Sequence, residues 1–175
     1  DRAGEMERII DTIESVLPDY QGDLILNGND PNVVRLAMAA PNARKIYFGA
    51  AKNASTVEHS AEAAEGKFCP KCGSRLEYDF YQYSHIGQFH CSSCDFATPK
   101  LDVCPDEIDL DAHTFRYDGH VYPMASDGLY SLYNCAAVLA AARSAGVDPK
   151  LAEKVFARAE RPAGRNERFE KAGRD

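Results

Sequence analysis

The sequence predicts an α/β fold that carries a small β-rich insertion, and three observations predict it. A strand, a helix and a second strand follow one another within about thirty residues, the spacing of a parallel βαβ unit. Apolar residues recur at three- and four-residue steps before and after that unit, as on the inner stripe of a helix. Two Cys-x2-Cys pairs, Cys69-Pro70-Lys71-Cys72 and Cys91-Ser92-Ser93-Cys94, lie between the α/β stretches, in a span rich in strand-favouring aromatics.

Met6, Ile9, Ile10, Ile13, Val16 and Leu17 form the stripe of a first helix, halted at Pro18. Leu24-Ile25-Leu26 is a continuous apolar run, as expected of a strand covered on both faces. Asp30 is the expected N-cap of the next helix, with Pro31 at its first position and Val33, Val34, Leu36 and Ala37 as apolar cover. Lys45 to Phe48 reads as the second strand. Residues 50–66 have no strong period and read as a loop or weak helix. Between the cysteine pairs, Leu76, Tyr78, Phe80, Tyr81 and Tyr83 predict one strand and Gln88 to His90 another, with Gly87 as the turn. Thr114–Tyr117 and His120–Pro123 flank Asp118-Gly119, a hairpin signal. A long helix capped near Ser126 or Asp127 follows, with Leu132, Tyr133, Ala136, Leu139 and Ala140 inward and Gly146 as its stop. Asp148-Pro149 opens a last helix with Leu151, Val155 and Phe156 inward.

The expected division is residues 1–66 as the first part of the α/β domain, 67–98 as the four-cysteine insertion and 99–175 as the second part with the start of a linker. At 175 residues the chain can bury a sizeable core. Its formal charge of −7 argues against a protein whose main task is neutralising nucleic-acid phosphates. The cationic cluster of Arg158, Arg161, Arg165 and Arg168 is mixed with Glu160, Glu167 and Glu170, the pattern of a solvated helix face. Six cysteines, no leader and no apolar run near the ~20 residues of a membrane span point to the cytoplasm. The chain opens on Asp1 and reads like the middle of something longer.

Cys69, Cys72, Cys91 and Cys94, with eighteen residues between the pairs, fit one tetrahedral zinc site of structural type. Two disulfides or four unrelated thiols are the alternative. Gly73 follows the first pair, where a left-handed turn aims backbone amides at sulfur. His90 adjoins Cys91, yet four well-spaced cysteines leave no vacancy. Cys104 and Cys135 read as buried thiols. Chelation is expected to melt the insertion and leave the parent sheet folded.

Asn27 and Asp30 sit at the carboxyl end of a predicted parallel strand, where open α/β sheets place ligands; equally, Asn27 ends the strand and Asp30 only caps a helix. Asn134 is an amide in an apolar helix, where burial demands a partner, either a ligand or a loop carbonyl. Arg165, in Gly164-Arg165-Asn166-Glu167, reads as a phosphate contact or as a solvated surface arginine. No G-x4-G-K-[ST] or G-x-G-x-x-G occurs, so nothing in this stretch cradles a triphosphate unaided.

Taken together these segments resemble the central domain of the Mur ligase family, ATP-dependent enzymes that build the peptide of the bacterial cell-wall precursor. Leu26-Asn27-Gly28-Asn29-Asp30-Pro31 is similar to the family's LNADDP segment, with Gly28 and Asn29 replacing its alanine and first aspartate. Gly128-Leu129-Tyr130-Ser131-Leu132-Tyr133-Asn134 with Ala136-Ala137 is similar to its G-x-H-N-x-x-N-x-x-A-A helix start, with Tyr130 and Ser131 in place of His and Asn. Gly164-Arg165-Asn166-Glu167 resembles its GRxE segment. A zinc ribbon in this domain is similar to one branch, the MurT-type subunit of lipid II isoglutaminyl synthase, and Asp1-Arg2-Ala3-Gly4-Glu5 resembles that branch's DRYGE.

The resemblance implies a partial Mur-ligase-like central domain with a mostly parallel sheet and an inserted β-hairpin zinc ribbon. It implies an ATP- and Mg-dependent amide ligase that activates the α-carboxylate of D-glutamate in the lipid-linked precursor as an acyl phosphate. Ammonia from a glutaminase partner then attacks. Asn134 would contact adenine, Arg165 a nucleotide phosphate or the hinge, and Asn27 and Asp30 would border the nucleotide pocket. The family's phosphate loop precedes and its carboxy-terminal domain follows the matching stretch, so no catalytic residue is expected here, and the 175-residue chain alone is expected neither to hydrolyse ATP nor to form amides. The other readings are a different Mur-type amino-acid ligase, or a non-enzymatic zinc-ribbon module whose Tyr78, Phe80, Tyr81 and Phe89 stack on bases or dock a protein.

Overall fold

The computed structural model describes residues 2–61, 65–126 and 128–159. Asp127 and the 164–167 segment with Arg165 lie outside the described residues. Helix α1 (Arg2–Glu14) leads through a turn into strand β1 (Asp23–Asn27), helix α2 (Pro31–Ala39) and strand β2 (Arg44–Phe48). The two strands pair in parallel, Asp23 beside Arg44 through Asn27 beside Phe48, as the βαβ spacing predicts. Residues 103–105 run parallel along the other side of β2, the Gly49 amide donating to the Val103 carbonyl (3.0 Å) and the Ala51 amide to that of Pro105 (3.2 Å).

Parallel pairing stops there among the described residues. Strands β3 (Leu76–Tyr83) and β4 (Ile86–Cys91) form an antiparallel hairpin, and β5 (Asp106–Asp109), β6 (Thr114–Tyr117) and β7 (His120–Pro123) an antiparallel meander. The expectation of a mostly parallel sheet is thus met only at β1, β2 and the segment beside β2. Helix α3 (Leu129–Ser144) packs on β1 and β2, and a 3-10 turn (Pro149–Leu151) leads into the short α4 (Ala152–Phe156).

The continuous apolar runs of β1 and β2 are covered on both faces. Ile25, Ile46 and Phe48 join a core with Leu132, Ala136 and Leu139 of α3 and with Phe115 and Tyr122 of the meander. Alternate residues turn the other way: Leu24 packs with Leu17, Leu36 and Ala40, and Tyr47 with Val34 and the cysteine hairpin. Period-two alternation therefore gives a layered arrangement with β1 and β2 in the middle.

Several local expectations are corrected. Only Ile10 and Leu17 of the α1 stripe are buried, while Ile9, Ile13 and Val16 are exposed. Helix α1 is held to α2 mainly by charge, the Arg35 guanidinium donating to Glu14 (2.9 Å) and Glu7 (3.0 Å). The α3 N-cap is Gly128, and Ser126 instead donates its hydroxyl to that of Tyr130 (3.0 Å). Leu151 and Val155 point outward; Ala152 and Phe156 are the buried pair.

Candidate metal centre and the strand-end turn

The first cysteine pair is shaped by its own backbone. The Cys69 amide donates to the Ser74 carbonyl (2.7 Å) and the Gly73 amide to the Cys69 carbonyl (2.8 Å). Gly73 takes φ +75°, the left-handed turn that its position after the knuckle predicts. The second pair closes in the same way, the Cys91 amide donating to Phe96 (2.8 Å). These turns bring the four sulfurs of Cys69, Cys72, Cys91 and Cys94 within 4.8 Å of one another. Cys69 Sγ and Cys94 Sγ are 3.5 Å apart, as are Cys72 Sγ and Cys91 Sγ.

A tetrahedron with metal–sulfur bonds of about 2.3 Å has edges of about 3.8 Å, so the donor set fits a four-thiolate cation such as zinc. The backbone amide and hydroxyl of Ser74 pull the Cys72 thiol down to about 6, whereas the Cys94 thiol, despite its backbone hydrogen bond with Phe96, is pushed up to about 12 by burial and the neighbouring thiols. Lys71 and Asp95 form an ion pair across the two knuckles. His90 is not part of the cluster; its ring lies 3.6 Å from Glu77 and from Asp79. Under the cysteines, Phe89 and Phe96 stack at 5.5 Å and share a small core with Leu76 and with Val34 of α2.

At its other end the hairpin lies over the carboxyl ends of β1 and β2. The turn there is the pair Ser84-His85, since Tyr83 faces Ile86, and Gly87 is a strand residue rather than the turn. A Cβ on Gly87 would stand 2.2 Å from the Phe80 carbonyl oxygen. Ile86 enters the α3 core, and Tyr83 meets Tyr133 edge-on at 5.7 Å. Gln82 is buried and donates to the Ala51 carbonyl (2.9 Å) while accepting from Asn53 (2.8 Å).

Among the described residues, Asn29 is the least exposed of the buried polar ones, at 1%. Its Oδ1 accepts from the Ala50 amide (2.8 Å) and the Tyr133 hydroxyl (2.8 Å), and its Nδ2 donates to the Gly87 carbonyl (3.2 Å). The Gly87 amide donates back to the Asn29 carbonyl (2.9 Å). One side chain thus joins the strand-end turn, the loop after β2, helix α3 and the hairpin.

Asn27 and Asp30 flank this residue. Asn27 Oδ1 accepts from the Asn29 amide (3.0 Å), and Asp30 Oδ1 caps α2 by accepting from the Asn32 amide (2.9 Å). Asp30 also faces His85 Nε2 at 3.4 Å. Burial alone would lower the His85 pKa, but the hydrogen bond to Asp30 and its charge, with Glu65 further off, outweigh burial and raise it. Asn134 is exposed rather than buried, and it lines a mostly apolar cleft of about 250 Å³ between α3 and α4, with Ser126, Tyr130, Ser131, Val155 and Phe156. The cleft includes no residue of the 27–31 turn, so the structure does not bring Asn134 together with Asn27 and Asp30. Cys135 borders the same cleft, and burial raises its thiol to about 11.

Of these residues Gln82 was not singled out from the sequence; His85 reads there only as a candidate metal ligand or base, Tyr133 as an inward residue of α3, and Asn29 as a replacement within the LNADDP-like segment. Gln82 carried a signal: Leu76, Tyr78 and Phe80 alternate inward, and Gln82 continues their face as a polar residue. Asn29 carried none, because its partners lie 21, 58 and 104 residues away.

No protein-family model matches the chain. It is 30% identical to the MurT subunit of the glutamine-hydrolysing lipid II isoglutaminyl synthase of Staphylococcus aureus (strain COL), over 98% of this chain and 38% of that protein. The MurT subunit of Streptococcus pneumoniae (strain ATCC BAA-255 / R6) is 30% identical over 97% of this chain and 38% of its own length. The chain therefore spans about 38% of the curated relatives it matches. Among solved structures, a pseudomurein peptide ligase type C from Methanothermus fervidus superposes with a TM-score of 0.73 at 22% identity, covering 92% of this chain and 32% of that one. That likeness is one of fold. The resemblance to a Mur-type central domain and its MurT branch, drawn from the ordered segments, is borne out.

Proposed function

We propose that this chain is the central stretch of a MurT-like ligase subunit, within an ATP- and Mg-dependent enzyme that amidates the α-carboxylate of D-glutamate in the lipid II stem peptide. The observation that carries the reading is the likeness to MurT along nearly the whole chain. In the proposed reaction a carboxylate oxygen takes the γ-phosphoryl group of ATP and ADP leaves. Ammonia freed from glutamine by a partner glutaminase then adds to the acyl carbon, phosphate departs, and the nitrogen gives up a proton. Dependence on ATP fits a cytoplasmic enzyme.

In this reading Asn134 offers its exposed amide to the adenine, in the cleft walled by Val155 and Phe156. Arg165 contacts a nucleotide phosphate or the hinge. Asn27 and Asp30 border the nucleotide pocket by fixing the turn after β1, their side chains being engaged with the backbone of that turn. Cys69, Cys72, Cys91 and Cys94 hold a structural zinc, which supplies cross-linking and no chemistry, in an insertion spanning 67–98. The 175-residue stretch by itself catalyses neither ATP hydrolysis nor amidation.

A nucleic-acid-binding module is disfavoured by the burial of Phe80 and Phe89 and by the stacking of Tyr78 on Tyr81 at 4.3 Å, which uses up the rings that bases would need. The test is reconstitution: the longer protein containing this chain, co-purified with its glutaminase, is given lipid II, ATP, Mg and glutamine. Mass spectrometry should find carboxylate converted to carboxamide, with Asn134→Ala raising KM for ATP. An unmodified stem peptide, or addition of an amino acid in place of ammonia, overturns the reading.

A further inference from the structure

We propose that Asn29 couples the four-cysteine site to the β1–α2 turn, so that metal binding sets the order of the 27–31 segment through the hairpin. The coupling rests on the metal reading above and goes beyond its structural role. The hairpin has two ends with different surroundings. Its knuckle end closes on the four sulfurs and a small core with Val34, and its far end carries Ile86 into the main core. An insertion that hung from its parent by two chain crossings would melt alone on losing its metal. This one is clamped at the turn by two antiparallel bonds between Asn29 and Gly87, one from each residue.

The side-chain amide is needed for that clamp. Oδ1 is used by the Ala50 amide and the Tyr133 hydroxyl, both donors, and Nδ2 serves the Gly87 carbonyl, an acceptor. An aspartate of the same shape keeps both donors satisfied and sets a carboxylate oxygen against the Gly87 carbonyl. Asn29→Asp therefore removes the side-chain bond to the hairpin, keeping only the Gly87 amide's bond to the residue-29 carbonyl, and leaves the links to the loop after β2 and to α3. Without the metal the knuckles lose their cross-link, the β3–β4 ladder frays toward Gly87, and the buried Asn29 amide loses its hydrogen-bond partner. Coupling of this kind is reciprocal: if the metal orders the turn, disordering the turn weakens the metal by the same factor.

Hydrogen-exchange mass spectrometry on the zinc-loaded chain, before and after chelation, tests the coupling together with zinc affinity from competition against a chromophoric chelator. In the wild type, chelation should speed exchange at 27–31 and 50–53 as well as in the hairpin. Asn29→Asp should exchange fast at 27–31 with zinc bound, and should bind zinc about five-fold more weakly, the equivalent of one neutral buried hydrogen bond. Tyr133→Phe removes a bond to the same oxygen but spares the Gly87 clamp, and should keep wild-type zinc affinity. Exchange confined to the hairpin after chelation of the wild type overturns the coupling without relying on any variant. So does equal weakening in Asn29→Asp and Tyr133→Phe, or loss of protection in every strand at once. Failure of the wild type to bind zinc stoichiometrically overturns the metal reading and the coupling together.

Discussion

Gly87 has no room for a side chain, because a Cβ there would stand 2.2 Å from the Phe80 carbonyl oxygen and 2.9 Å from the Tyr81 Cα. Both neighbours are backbone of the paired strand and cannot swing aside, so Gly87→Ala should cost about 3 kcal/mol, read as a lower urea midpoint at unchanged slope. An unshifted midpoint would mean that the hairpin yields more easily than its ladder suggests. The glycine itself was visible in the sequence as a turn residue; its actual use, close approach of two strands, depends on the register and was not.

His85 contributes through its ion pair with Asp30, and the direction with pH follows from its raised pKa. Because the folded value lies above the unfolded one, the contribution is fully present below about pH 6.5 and is lost as pH rises through the folded value. The midpoint gap between wild type and His85→Gln should therefore be widest near pH 6 and close toward about pH 9. A gap equal at both ends would show that packing, not charge, is what the histidine supplies.

At the scale of elements, α3 is the buried pillar. Leu132, Ala136, Leu139 and Ala140 are fully buried against β1, β2 and the meander. Leu139→Ala should lower stability by about 2–5 kcal/mol in a urea titration, with the spread set by how far the site collapses. This stripe was legible because sixteen residues sample the helical period several times. The last helix was legible only in part. Its start at Asp148-Pro149 was right, the Asp148 carboxylate accepting from the Lys150 amide at 3.0 Å. Of its expected inward residues Phe156 is buried, but Leu151 and Val155 are exposed and Ala152 is buried in their place, since the segment begins as a 3-10 turn of three residues per turn.

At the scale of the whole molecule, the insertion is the element whose role changes most. Its cysteine spacing is local and foretold the cluster. Its attachment is not local: Ile86 belongs to the main core, Val57 pairs with Tyr81, and Gln82 binds the loop after β2. The expectation that chelation melts the insertion and spares the rest treated the boundary as a pair of chain crossings. The buried contacts make the boundary a packed interface, and the coupling proposed above predicts that loss of metal extends beyond the insertion to the ends of β1 and β2.

What the sequence by itself determined is whatever its spacing encodes: the βαβ unit, the α2 cap at Asp30, the Asp118-Gly119 hairpin, the long helix and the four-sulfur cluster. Each depends on residues within a few turns of one another, or on two knuckles with their own backbone grammar. The tertiary structure alone decided that Asn134 is exposed beside a cleft, that the hairpin covers the carboxyl ends of β1 and β2, and that Asn29 holds four segments together. The physical reason is distance along the chain. Periodicity reports which face of an element is apolar, but hydrogen bonds spanning 21 to 104 residues leave no pattern in the sequence until folding brings their partners together.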